Sequence, residues 1–249
     1  MKVDVVVDVG NTRIKWGRCV RGTVVESVSL PHADPDTWQR QFEKWGLTNA
    51  AVWAIAAVHP AACDGMVCWL RERSQRTWVV ESYATLPIEL CVSRPDKVGI
   101  DRLLNAVAAT RGKVPRRPAA IVDAGSAVTV DWIDEDGIFR GGAIFPGLRL
   151  MAKALHEHTA LLPLVEITTP PPYLPGLSTV PAIKVGVYHA VAGGIHRLIG
   201  LLSAQTAAEP HIFLTGGDAS LLANVVELRA ECWPEMTLEG IRLSAEAQP

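Results

Sequence analysis

Val7–Asp8–Val9–Gly10–Asn11, near the start of the chain, and Val122–Asp123–Ala124–Gly125–Ser126, halfway along it, carry one signal twice. Each stands at the end of an apolar run that reads as a buried strand (3–9 and 119–122), and each turns through Asp–x–Gly into another strand-like run. Around the first copy, 14–20 and 23–30 read as two further strands joined at Arg21–Gly22, so the chain opens as a β-meander rather than as strand–helix–strand. Around the second, 128–133 and 138–143 pair across Asp134–Glu135–Asp136–Gly137, and Trp16 and Trp132 both read as closing the second strand of their copy. The flanks repeat along with the motif, which points to a duplicated unit of meander followed by helices.

The remaining pattern fits that plan. Helices are expected over 35–45, 63–75, 101–111, 148–155 and 182–203, and strands over 51–58, 77–81 and 211–215. The polar, proline-bearing stretch Lys113–Pro118 separates the copies, giving two domains, 1–117 and 118–249. The fold class is α/β, with a mixed sheet and flanking helices in each domain.

With a formal net charge of -2 over 249 residues, nothing draws the chain toward nucleic acid. The longest uninterrupted apolar run, 50–58, is far too short to span a bilayer, and Met1–Asp4 does not open a secretory signal. Five cysteines without a C-x-x-C pair read as packing thiols in a reducing compartment. The expected setting is therefore cytoplasmic, with neither membrane nor nucleic acid as partner. No P-loop and no G-x-G-x-x-G fingerprint is present, and the seven histidines have no metal-ligand spacing.

The chemistry-bearing residues cluster at turns. Asp8–Val9–Gly10–Asn11–Thr12 offers backbone N–H groups and a hydroxyl to a phosphate, with Gly10 allowing close approach and Lys15 near enough to offset charge. Asp8 suits Mg²⁺, directly or through water. Asp101, in Gly99–Ile100–Asp101–Arg102, is either the N-cap of a helix or a general base with Arg102 holding a substrate anion, and both can hold together. Asp123, at a strand end, needs a partner: a cation, a backbone N–H or a lysine. Ser126 either contacts a phosphate or caps its turn. Gly141–Gly142 through Gly147, and Thr215–Gly216–Gly217, are glycine-rich turns.

Taken in order, Asp8–Thr12 with Lys15–Trp16, Gly99–Arg102 with Asn105, Asp123–Ala127 with Thr129 and Asp131, Gly141–Gly142 through Pro146–Gly147, and Ser178–Thr179 with Gly186 resemble the type III pantothenate kinases up to about Gly217. The resemblance implies duplicated actin-like (ribonuclease H-like) domains with an ATP cleft between them. It also implies transfer of the γ-phosphate of ATP, with Mg²⁺, to pantothenate. By the same resemblance Asp101 is the catalytic base; Gly99, Ile100, Asp101, Arg102 and Thr179 contact pantothenate; Asp8, Val9, Gly10, Asn11, Thr12, Arg13, Ile14, Lys15 and Ser126 bind ATP; Asp123 binds a monovalent cation, K⁺ or NH₄⁺; and the protein is a homodimer. Apolar residues on several faces of 182–203, including Val185, Val187, Val191, Ile195 and Leu198, point the same way, since one core is not expected to cover them all. The chain departs from the family pattern in having Ser126 where threonine is usual and in lacking a tyrosine shortly before Gly99. An actin-like kinase for another hydroxy acid and a non-catalytic nucleotide-binding regulator are the other readings.

Overall fold

The computed structural model of the chain describes residues 1–48, 50–111, 117–223 and 230–248. They fall into two units, Met1–Val114 with Glu235–Pro249, and Pro115–Pro234.

In the first unit, β1 (Val5–Val9), β2 (Ile14–Val20) and β3 (Thr23–Leu30) form the antiparallel meander. Arg21 and Gly22 both take positive φ (53° and 76°), the two-residue turn whose twist matches the flanking strands. After α1 (Pro35–Lys44), β4 (Val52–Ala57) pairs parallel with β1; after α2 (Pro60–Glu72), β5 (Arg76–Val79) pairs parallel with β4. The sheet order is β3-β2-β1-β4-β5. Each helix starts at a proline, where the missing N–H is no loss, behind a side-chain cap: Asp34 accepts from the Thr37 N–H and His59 from the Ala62 N–H. Alternation sends Val5, Val7 and Val9 into a core with Trp16, Trp38, Phe42, Trp53, Met66 and Trp69. Trp16 and Trp53 meet edge to face at 5.0 Å. The helix α3 (Ile100–Arg111) completes the N-terminal part.

The second unit repeats this order: β6 (Ala119–Ala124), β7 (Ala127–Ile133) and β8 (Phe139–Pro146) form a meander, then α4 (Leu148–Glu157), α5 (Thr179–Ser203), β9 (His211–Thr215), α6 (Ala219–Leu222) and β10 (Ala230–Cys232). Its sheet order is β10-β9-β6-β7-β8, with β9 parallel to β6 and to β10. Strand for strand this is the first sheet again. The tryptophans are not equivalent, however. Trp16 lies opposite Val7 in mid-strand, whereas Trp132 lies opposite Ala120, at the irregularity near the end of β7.

The last helix, α7 (Met236–Glu246), corrects the expected C-terminal domain 118–249: Glu235–Pro249 belongs to the first unit. Met236, Leu238, Ile241 and Ala245 are buried there, and α7 packs on α3 and across β1 and β4. Its Glu239 carboxylate accepts the Val24 N–H (2.8 Å) and pairs with Arg242 (2.6 Å), tying the helix to the β2–β3 edge.

Two further expectations are revised. Only Cys19 and Cys63 serve as packing thiols, burial pushing Cys19 up to about 12; Cys68, Cys91 and Cys232 are exposed. The α5 residues Val185, Val187, Val191 and Ile195 are buried within the chain, and Leu198 packs partly on the same core. Val187, Val191, Ile195 and, in part, Leu198 therefore share the second core, while Val185 is buried outside that cluster. By length and composition alone α5 is apolar enough to cross a membrane, although no single apolar run in it is long. Ile183, Val187, Val191, Ile195 and Ile199 instead make it the central helix of the second core.

Candidate functional site

One element carrying candidate residues, in the first unit, is the β1–β2 turn. Gly10 N–H donates to the Arg13 carbonyl (3.1 Å), leaving Asn11, Thr12 and Arg13 exposed at the sheet's edge. Asp8 stands directly opposite Lys15 in the register, so their side chains leave the same face of the sheet. That face is the one α7 covers, since Gly17, two residues beyond Lys15, lies against Leu238. Val9 and Ile14 are fully buried in the tryptophan core, so of the sequence-derived set Asp8–Lys15 these two have only backbone atoms to offer.

Two residues outside that set lie against the turn. His32, after β3, donates from Nε2 to the Gly10 carbonyl (2.8 Å), and its ring packs at 5.1 Å on that of His59, the cap of α2. Metal-ligand spacing passes over both. They meet only because β3 and β4 end at the same edge of the sheet as β1.

The second element is the start of α3. Gly99 is its last non-helical residue, with its carbonyl accepting the Leu103 N–H (3.4 Å). Asp101 is thus inside the first turn rather than at the N-cap, and its Oδ1 accepts the backbone N–H of Arg102 (2.8 Å). A side chain at 99 would bring Cβ to 2.5 Å from that Oδ1, so glycine clears the space the carboxylate occupies. One carboxylate oxygen holds the turn, on a half-buried group next to Arg102.

In the second unit the β6–β7 turn closes through Gly125 N–H to the Ala127 carbonyl (3.1 Å), the counterpart of the Gly10 bond. Both glycine-rich turns brace it. Gly147 N–H donates to the Ser126 carbonyl (3.0 Å), and a Cβ at Gly147 would lie 2.1 Å from the Gly125 carbonyl. Gly216, at φ +94°, would put a Cβ 2.4 Å from the Ala124 carbonyl, which accepts the Asp218 N–H (2.9 Å). Ser126 is exposed at the turn.

The two turns differ in what faces the aspartate. Opposite Asp8 is Lys15; opposite Asp123 is Thr129, and on its other side Thr215. The Thr129 hydroxyl is buried without a hydrogen-bond partner. Where the first unit sets a lysine opposite its aspartate, the second sets two threonines beside its own, neutral oxygens that with a carboxylate suit a hard cation. Among the described residues no group of three His, Cys, Asp or Glu side chains is placed to hold a metal. Asp218, one residue past the Thr215–Gly217 motif and outside the sequence-derived set, is a half-buried carboxylate beside this turn, and burial raises its pKa.

Thr179 is the first residue of α5 and lines an apolar cavity of about 970 Å³ between α4 and α5, together with Pro146, Met151, Leu155, Ile183 and Val187. Pro146 joins this cavity to Gly147 and so to the Ser126 turn.

The family model described as type III pantothenate kinase matches residues 5–200. A type III pantothenate kinase of Rhodospirillum rubrum is 38% identical over 189 residues, 75% of this chain and 72% of the relative. One of Acidiphilium cryptum is 37% identical over 262 residues, 98% and 94% respectively. Among solved structures, a protein of Campylobacter jejuni assigned to the Baf family of transcriptional activators superposes with a TM-score of 0.62 at 20% identity over 97% of each chain. An inorganic polyphosphate/ATP-glucomannokinase from an Arthrobacter strain does so with 0.51 at 14% over 100% of each. These two likenesses concern the fold, which is the actin-like α/β fold with its mixed sheet duplicated. Through the match over 5–200 and relatives of this identity and coverage, the chain belongs to the type III pantothenate kinase family.

Proposed function

We propose that this protein transfers the γ-phosphoryl group of ATP to the primary hydroxyl of pantothenate, giving 4′-phosphopantothenate and ADP, the first step of coenzyme A synthesis. The observation that carries this reading is the start of α3, taken with the family match: a carboxylate anchored by one oxygen at a helix start, in the G-x-D-R stretch, beside an arginine.

Asp101 accepts the hydroxyl proton as the hydroxyl oxygen bonds to the γ-phosphorus and the bond from that phosphorus to the β–γ bridging oxygen breaks. Little covalent chemistry is asked of the protein, so positioning and charge dominate. Gly99, Ile100 and Arg102 hold pantothenate, Arg102 at its carboxylate, and Thr179 adds a hydroxyl at an otherwise apolar wall. The N–H groups and hydroxyl of 10–12, with Lys15 and Ser126, hold the ATP phosphates. Asp8 would hold the Mg²⁺ that enters with ATP, directly or through water, and the ion would offset phosphate charge. The setting is the cytoplasm, in keeping with α5 being spent on a protein core rather than on lipid.

A strain depleted of its own pantothenate kinase tests the assignment: expression of this chain restores growth. Soluble, folded protein without restored growth would contradict it and favour a regulatory role.

Asp123, with Thr129 and Thr215 about it, holds a monovalent cation in this reading. Initial rates are accordingly expected to be high in K⁺ or NH₄⁺ and to fall at least tenfold, roughly, in Na⁺ alone, the smaller ion fitting the oxygen set poorly. Equal rates in the two buffers would remove that role.

A homodimer is the proposed assembly. Its support lies in the exposed apolar side chains of the second unit, among them Ile144, Leu150, Leu161, Leu174, Leu177 and Leu201. Sedimentation is expected to give a dimer at working concentration, and an active monomer would contradict it.

A further inference from the structure

The β1–β2 turn is hydrogen-bonded to a residue 22 positions away in the chain. A carbonyl can only accept, so the 2.8 Å contact between His32 Nε2 and the Gly10 oxygen is an N–H donated by the imidazole. Gly10 and Asn11 share a planar, trans peptide in which the C=O and the N–H point in opposite directions. Pinning the Gly10 oxygen toward His32 therefore aims the Asn11 N–H the other way, toward the exposed side of the turn. Rotation of this one peptide plane would replace a donor by a carbonyl oxygen facing an anion. Gly10, having no side chain, resists such a rotation least.

The imidazole is itself held. Its ring lies against that of His59 at 5.1 Å and 49°, and His59 is fixed in turn by accepting the Ala62 N–H at Nδ1 (3.2 Å) as the cap of α2. The Val58 N–H donates to the Val9 carbonyl (3.0 Å), binding the segment that carries His59 to the strand that carries the turn. The chain of contacts runs from the α2 cap through His59 and His32 to the Gly10–Asn11 peptide.

We propose that His32 is a positioning residue for nucleotide: it orients the Asn11 N–H toward a phosphate of ATP, with His59 fixing its ring. This rests on the reading of the β1–β2 turn as the ATP phosphate site. The test compares native protein with His32→Phe, which keeps a ring and loses the donor, and His32→Gln, which keeps an N–H donor. Nucleotide affinity is measured by direct titration with a non-hydrolysable ATP analogue, separately from turnover. His32→Phe is expected to weaken analogue binding and raise the KM for ATP about tenfold, the size of one well-placed hydrogen bond. The KM for pantothenate and the thermal midpoint should stay near native, and His32→Gln should recover most of the affinity. Unchanged affinity in His32→Phe overturns the proposal, as does equal loss in both variants or loss confined to pantothenate. Should the native protein bind the analogue in a His32-dependent way yet fail to phosphorylate pantothenate, the substrate assignment falls and the role of His32 stands. Normal pantothenate turnover with His32-independent binding gives the reverse.

Discussion

Asp101→Asn is expected to lower kcat at least about 10²-fold, the usual cost of losing a general base, while nucleotide affinity stays within about twofold of native. The substitution separates the two roles of this side chain. An asparagine oxygen can still accept the Arg102 N–H that Asp101 Oδ1 now takes at 2.8 Å, so the first turn of α3 keeps its local bond. What it loses is the capacity to take a proton from the substrate hydroxyl. As a carboxylate favourable only to the helix dipole, Asp101 would be worth about 0.3–1 kcal/mol of stability and nothing in rate. Initial rates at saturating ATP and pantothenate, with urea unfolding of the same samples, check both sides. Near-native kcat would reduce Asp101 to a structural residue.

The second large effect is expected far from the turns. Gly240, in α7, packs so closely on α3 that a Cβ there would lie 2.0 Å from the Leu104 carbonyl oxygen and 2.5 Å from its carbon. Next to it, the Thr237 hydroxyl donates to Asn105 Oδ1 (2.8 Å). In an exposed helix Gly→Ala stabilises by up to about 1 kcal/mol. Here the obstacle is the backbone of a buried helix, which cannot swing aside as a side chain would. Gly240→Ala is therefore expected to destabilise the protein by about 1–3 kcal/mol, the cost of overpacking. Because α3 carries Asp101, kcat is expected to drop as well. A lowered urea midpoint at unchanged slope is the signature; a stability equal to or above native would mean that α7 does not seat on α3 this closely.

How legible these features were in the sequence follows from how local they are. The β1–β2–β3 meander is written in alternation and in a Gly-bearing turn, so its strands agree with expectation at nearly every boundary. The duplication was visible because both Asp–x–Gly turns carry their own flanks. The helix α5 begins at Thr179 rather than at 182, because Pro181 sits in the first turn, where an N–H has no partner to lose. The return of α7 was invisible. Its buried set includes Glu239, Arg242 and Ser244, which pair among themselves and with Val24 and Gly240, so its pattern does not announce a core helix. No local signal tells a chain leaving one unit to go back to the other.

At the candidate site, residue types at turns point to Asp8, Lys15, Asp101 and Asp123, whereas what lies around them is set by the fold. The contrast between Lys15 opposite Asp8 and Thr129 opposite Asp123 exists only in the strand register. His32 and His59 come to the Gly10 carbonyl through the ends of separate strands, and no spacing in the chain encodes that.

The central claim is most directly tested by incubating the purified protein with ATP, Mg²⁺, K⁺ and pantothenate and measuring ADP and phosphopantothenate together. One phosphopantothenate is predicted for each ADP formed, with negligible ADP when pantothenate is omitted. Absence of phosphopantothenate from protein shown by titration to bind nucleotide would contradict the account.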